Sequence, residues 1–183
     1  MRDRSVSPVG WIGRLFFCLL LLSPAAKAYT IEEIAQADNL LRLLDQRLHI
    51  SELVAQAKWR SDSPIQDLTR EQQVIEAFVT RAGEAAVEPA LAGAFMRAQI
   101  EASKVRQRAL FDQWWRSRRS AFANPPNLAR EIRPRLDALS LEMVNALQQA
   151  GSLEVALLRW RAEVLWGAAP DPARARALQG WLP

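Results

Sequence analysis

Residues 30–60 read TIEEIAQADNLLRLLDQRLHISELVAQAKWR, and this stretch decides the fold. Thr30 followed three positions later by Glu33 is a capping box, the signature of a helix start. Ile31, Ile34, Leu40, Leu41, Leu44, Leu48 and Val54 then recur at helical spacing down to about Arg60. Such a span is long for a globular helix and suits the strut of a bundle. Arg47 and Lys58 stand eleven positions apart on it, three helical turns, so they share a face.

Working outward, Ser61-Asp62-Ser63-Pro64 breaks the pattern. Thr69 with Gln72 reads as a second capping box, opening a helix that runs to about Gly83 with Arg70 and Glu71 in its first turn. A third helix is expected from Pro89 to about Arg119, carrying Ser103 and Gln107 one turn apart. Asn124-Pro125-Pro126-Asn127 ends that region. A fourth helix, with Leu136, Leu139, Met143, Val144 and Leu147, begins around Pro134 and stops at Gly151. Ser152 is the expected cap of a fifth helix to about Trp166, and Asp171-Pro172 opens a short sixth. The fold class is therefore all-α: a single-domain bundle of about six helices, with three long ones forming the core of a site.

Upstream, Arg2, Arg4 and Arg14 precede the apolar run LFFCLLLL at 15–22, and Ala26-Lys27-Ala28 offers a small-residue cleavage site before Tyr29. That order predicts a signal peptide over 1–28, a mature domain over 29–183, and a periplasmic or secreted protein with no membrane contact after cleavage. The run is too short for a spanning helix, which needs roughly 20 residues. Of the 24 basic and 20 acidic residues, the leader holds Arg2, Arg4, Arg14, Lys27 and Asp3, so 20 and 19 remain. The high pI thus belongs largely to the leader, and charge gives nucleic-acid binding little support. The only cysteine, Cys18, is also in the leader, so no disulfide supports the mature chain. His49, the only histidine, is too far around its helix from Arg47 to share a face with it, so no histidine-based acid–base or metal site is expected. The six remaining tryptophans are expected to pack between helices. A bundle that concentrates Arg47, Lys58 and Arg70 beside Ser103 and Gln107 calls for an anionic ligand, with no nucleophile, metal cluster or nucleotide loop in view.

These residues carry a resemblance. LLRLLDQRLHISELVAQAKW at 40–59, PIQDLTREQQVIEAF at 64–78 and FMRAQIEASKVRQRALFDQW at 95–114 resemble an AroQ-type chorismate mutase, and the leader with the long C-terminal half resembles its exported gamma subclass. The resemblance implies an isomerase that converts chorismate to prephenate without cofactor or metal. It implies that Lys58, Gln107 and Glu71 are catalytic: Lys58 and Gln107 donate to the ether oxygen, and Glu71 accepts from the substrate hydroxyl. It also implies that Arg47, Lys58, Asp67, Arg70, Glu71, Ser103 and Gln107 bind substrate, Arg47 through a bidentate grip on a carboxylate. In short family members a partner chain lends one arginine. Here Arg133 is the expected intramolecular replacement, with Arg130 and Arg135 as competitors. A homodimer is implied as well. Some exported relatives have a glutamate where Gln107 stands. Rival readings are a periplasmic helical adaptor or chaperone, with Arg47, Lys58 and Arg70 facing outward, and a pyruvate-eliminating lyase using the same anion pocket.

Overall fold

A computed structural model describes residues 28–61 and 63–181; the leader expected over 1–28 lies, except for its last residue, outside the described residues. Six α-helices follow in order: α1 (Ile31–Lys58), α2 (Leu68–Glu84), α3 (Pro89–Arg116), α4 (Arg133–Ala150), α5 (Val155–Trp166) and α6 (Pro172–Leu178). A π-turn at Leu128–Ile132 leads into α4. The all-helical expectation holds, and no strand occurs among the described residues.

Helix α1 begins as its sequence dictates, with a reciprocal cap. The Thr30 hydroxyl accepts the Glu33 N–H at 3.1 Å. The Glu33 carboxylate accepts the Thr30 N–H at 2.8 Å. Helix α2 starts earlier than expected, because its cap is Asp67 and not Thr69. The Asp67 carboxylate accepts the Arg70 N–H at 3.0 Å. Glu71 reaches back to accept the Asp67 N–H at 3.2 Å. Helix α3 opens at Pro89 behind Glu88, whose carboxylate accepts the N–H groups of Ala90 and Leu91. It stops at Arg116, short of Arg119, and the chain passes through a positive φ of 51° at Arg118. Helix α5 is not capped by Ser152; Glu154 takes the cap position without a side-chain capping bond, because Leu153 turns inward at 8% exposure. Asp171 caps α6 as expected, accepting from Ala173 and Arg174.

The apolar seam of α1 (Leu40, Leu41, Leu44, Leu48) packs against α3 (Ala92, Phe95, Met96) on one side and α4 (Leu139, Met143, Leu147) on the other, forming one continuous core. Buried leucine-class side chains contribute about 1.5–3 kcal/mol each, so this seam holds the long helices in register. Helix α2 lies against α3, with Phe78 stacked on Phe95 at 5.8 Å. A smaller aromatic core clamps the far ends of α1 and α3. There Trp59 meets Trp114 edge-on at 5.5 Å. The Trp59 indole N–H donates to the Ser120 carbonyl at 3.1 Å. Trp59 and Trp114 fulfil the packing expectation, but Trp115 and Trp160 are exposed.

The C-terminal helices are fastened by polar ties. Arg161 of α5 grips Asp38 of α1 through both carboxylate oxygens, a bidentate pair. Its Nε donates at 2.6 Å. Its Nη2 donates at 2.7 Å. Arg174 of α6 reaches Asp45 at 2.8 Å. Gln99, 1% exposed on α3, donates to the Ala177 carbonyl at 2.9 Å. Gly180 then passes directly over α3. A Cβ there would lie 2.6 Å from the Ala98 Cβ and 2.8 Å from the Ala94 carbonyl oxygen, which is backbone and cannot yield. Gly180→Ala is therefore expected to lower stability by about 1–3 kcal/mol, read as a lower urea midpoint at unchanged slope.

Candidate active site

The inward side of α1 that carries Leu40 and Leu44 continues toward the helix C-terminus as a line of Arg47, Ser51, Val54 and Lys58, spaced by three or four residues. The first turns of α2 bring Asp67, Arg70, Glu71 and Val74 opposite, α3 contributes Ile100, Ser103, Lys104 and Gln107, and the start of α4 closes the ring. Together they enclose a cavity of about 230 Å³. That is somewhat below the ~300–1,000 Å³ of typical small-molecule clefts, so it suits a compact ligand. Each of the eight residues singled out as binding or catalytic (Arg47, Lys58, Asp67, Arg70, Glu71, Ser103, Gln107, Arg133) lines it. Of the three candidate arginines on the α4 side, Arg133 lines the cavity and Arg130 and Arg135 are not among its lining residues.

Arg133 reaches the cavity through the π-turn. Asn127 caps this turn by accepting from Ala129 and Arg130, both at 2.9 Å. Ile132 donates to the Asn127 carbonyl and Arg133 to the Leu128 carbonyl, a register wider than that of an α-helix. Pro134 has no N–H and needs no acceptor where the α register returns. The extra residue in the turn is what the sequence did not reveal about the register of Arg133.

Five cations line the cavity (Arg47, Lys58, Arg70, Lys104, Arg133) against three acids (Asp67, Glu71, Asp137), so the lining is net positive and suits an anionic ligand. Arg47 is the most unusual of them. It is 6% exposed, and its Nε and Nη1 are buried with no hydrogen-bond partner among the described residues. Burial pushes its pKa down to about 10 against the opposing field of Asp137. A buried guanidinium with unpartnered nitrogens is costly. It makes physical sense where a ligand completes it. The burial also disposes of the adaptor reading, which requires Arg47 to face outward.

Lys58 is half-buried, and its pKa is lowered by that burial, with Asp67 and Glu71 opposing the shift and Arg133 adding to it. Its ammonium donates to the carbonyls of Pro64 and Ile65, at 2.7 and 3.1 Å, tying the α1–α2 connection over the site. An ammonium has three protons, so one stays available. The cation stacked on Trp59 is Arg60, at 4.9 Å, rather than Lys58. Gln107, 3% exposed, donates one amide proton to the Ser103 hydroxyl at 3.0 Å and keeps the second. His49 is exposed on the opposite side and contacts Asp45.

Sequence reasoning missed several polar residues of the site, among them Asp137, whose carboxylate acts on Arg47, as well as Ser51, Lys104 and Ser140. Ser51, 1% exposed, lies 2.8 Å from the Ser103 hydroxyl and 3.0 Å from the Arg47 carbonyl oxygen, and so anchors the Ser103–Gln107 pair to α1. Its spacing of four from Arg47 was the available signal. Lys104 follows Ser103 and lies three before Gln107 on the same face of α3. Ser140 lies three after Asp137 on α4 and donates to the Leu136 carbonyl at 2.7 Å.

Known proteins share both this sequence pattern and this architecture. Residues 31–108 match the family model described as chorismate mutase type II. A secreted chorismate mutase from Mycolicibacterium smegmatis is 34% identical over 114 residues, 61% of this chain and 62% of that protein. The chain thus matches slightly under two thirds of that relative's length. A monofunctional chorismate mutase from Enterobacter agglomerans is 27% identical over 135 residues, 74% of this chain and 70% of that one. The crystal structure of chorismate mutase from Burkholderia thailandensis superposes with a TM-score of 0.67 at 33% identity, covering 81% of this chain and 97% of that chain. Agreement over nearly the whole length of a solved structure, at an identity well above chance, extends beyond the N-terminal segment to the helices that close the cavity. The chain belongs to the chorismate mutase type II family.

Proposed function

We propose that this protein rearranges chorismate to prephenate, an intramolecular isomerisation that needs neither cofactor nor covalent intermediate. The observation that carries the reading is Arg47: a buried guanidinium with two unpartnered nitrogens, in a cavity whose lining is net positive. Arg47 grips one substrate carboxylate through its planar fork, and Arg133 and Arg70 hold the anion from α4 and α2. Ser103 hydrogen-bonds a carboxylate, Glu71 accepts from the substrate hydroxyl, and Asp67 fixes the end of α2 on which Arg70 and Glu71 sit. As the C–O bond breaks, negative charge grows on the ether oxygen. The free proton of Lys58 and the second amide proton of Gln107 are the donors for it, and they stabilise the transition state more than the ground state. Confinement between the helices selects the compact conformer in which the new C–C bond can form.

The leader pattern and the secreted relative support export, with a mature protein starting at Tyr29; that it works as a homodimer rests on the resemblance alone. The test is loss of chorismate absorbance on adding purified residues 29–183, with prephenate identified as product. Pyruvate plus an aromatic acid would establish the lyase instead.

The pH profile follows from the groups involved. Gln107 is an amide and donates at any pH, so kcat/KM is expected to stay level between about pH 5 and 8 on its account. Arg47 and Lys58 act as cations, so their contribution is present below their pKa values and lost above them. Arg47 is pushed down to about 10 and Lys58 below its ordinary value, so the activity should fall as pH approaches 10. A sharp acid optimum in kcat/KM would contradict the role given to Gln107.

A further inference from the structure

Lys104 is the cavity cation left without a role by the reading above. Its side chain is 6% exposed, and its ammonium meets two carboxylates: Glu71 of α2 at 2.9 Å and Glu101, one turn back on α3, at 2.6 Å. Burial works against its charge, but the bonds from Glu101 and Glu71 outweigh it and the pKa is raised, so Lys104 is a cation at any working pH. It differs from Arg47 in the respect that matters for ligand binding. Arg47 keeps two nitrogens without partners, whereas Lys104 is already compensated by two acids.

The geometry around Glu71 gives Lys104 its purpose. One Glu71 oxygen accepts the Asp67 N–H at 3.2 Å, and the other accepts from Lys104 at 2.9 Å. The carboxylate is thus held by the end of its own helix on one side and by α3 on the other. Its side chain is 18% exposed, and it lines the cavity. A charge-assisted bond between two helices fixes the rotamer of a carboxylate that otherwise has several to choose from.

We infer that Lys104 is a positioning residue: clamped by Glu101, it holds the Glu71 carboxylate at the point where a substrate hydroxyl is received. The inference rests on the proposed chorismate mutase activity and deepens it, because it names what selects for a hydroxylated substrate. Lys104 acts through Glu71 and does not itself touch the substrate. The hydroxyl takes no part in bond breaking, so its hydrogen bond is made in the ground state and the transition state alike. Losing it raises KM and leaves kcat nearly unchanged.

The test is a double-mutant cycle on the full mature chain, with steady-state chorismate kinetics and a melting curve for each variant. Lys104→Met is expected to raise KM about tenfold, the cost of one misplaced charged hydrogen bond, with kcat within about threefold of the wild type. Glu71→Gln is expected to raise KM similarly. In the Glu71→Gln background, Lys104→Met should change kcat/KM by less than about twofold, because the residue it acts through has already gone. Lys104→Gln, which keeps a donor without the charge, should lie between wild type and Lys104→Met. It also serves as the second arm of the cycle if Lys104→Met fails to fold. Additive effects would overturn the inference by showing that Lys104 meets the substrate directly, and a wild-type KM in both Lys104 variants would overturn it by showing no role. A wild-type protein that forms no prephenate sinks the activity and the inference together; an active one with an additive cycle sinks the inference alone.

Discussion

Lys58→Ala lowers kcat by at least about a hundredfold, the scale of removing one preorganised donor to a developing oxyanion. The argument starts from the position of Lys58 in the last turn of α1, beside the aromatic clamp of Trp59 and Trp114. The clamp fixes the backbone at this end, so the ammonium is placed before substrate arrives. Two of its protons are held by the Pro64 and Ile65 carbonyls, which sets the direction of the third. Burial has already lowered the pKa, so the desolvation cost is met in folding and not in the reaction. Alanine also releases the α1–α2 connection. A melting curve separates that effect from the chemical one, because the connection is exposed and its release should shift the melting temperature little. A kcat within about tenfold of wild type, in a folded variant, removes Lys58 from the role of principal donor.

Arg47→Met gives opposite results in stability and activity. The wild-type guanidinium is buried with two unpartnered nitrogens and a pKa driven down by desolvation. Methionine has similar length, flexibility and no polar demand, so the free protein is expected to gain about 1–4 kcal/mol and melt higher. The same change removes the buried fork for a substrate carboxylate. Losing one partner of such a pair costs about 4 kcal/mol or more, so kcat/KM should fall about a thousandfold. Arg47→Lys keeps the charge but loses the fork, and it should impair binding and turnover less severely. Thermal denaturation and steady-state kinetics on the same preparation test both halves. A destabilised Arg47→Met would mean that the guanidinium has a structural partner and was not held for a ligand.

Helix starts were legible wherever the cap was a local affair of a few residues. Thr30 with Glu33 and Asp171 with Pro172 are self-contained, and both appear as expected. At α2 the local signals competed, because Asp67 and Thr69 are both good caps. Asp67 prevails because Glu71 closes the reciprocal bond back to it. Ser152 lost its expected role for a reason outside its own neighbourhood: the core takes Leu153, and the chain must turn before α5 begins.

By itself, the sequence determined the helices, the length of the strut, and the face shared by Arg47 and Lys58, because a period of 3.6 residues links spacing to direction without reference to anything distant. It also carried, through the resemblance, the eight residues that converge on the cavity. Tertiary structure alone decided which arginine of the α4 region enters, because that depends on a one-residue widening of the helix at Leu128–Ile132. It alone decided that Lys104 meets Glu71, 33 positions away, and that Ser51 meets Ser103, 52 positions away. These contacts depend on the rotation of one packed helix about its axis relative to another. That rotation is set by the interlocking of side chains across the whole core, so a single helix does not encode it.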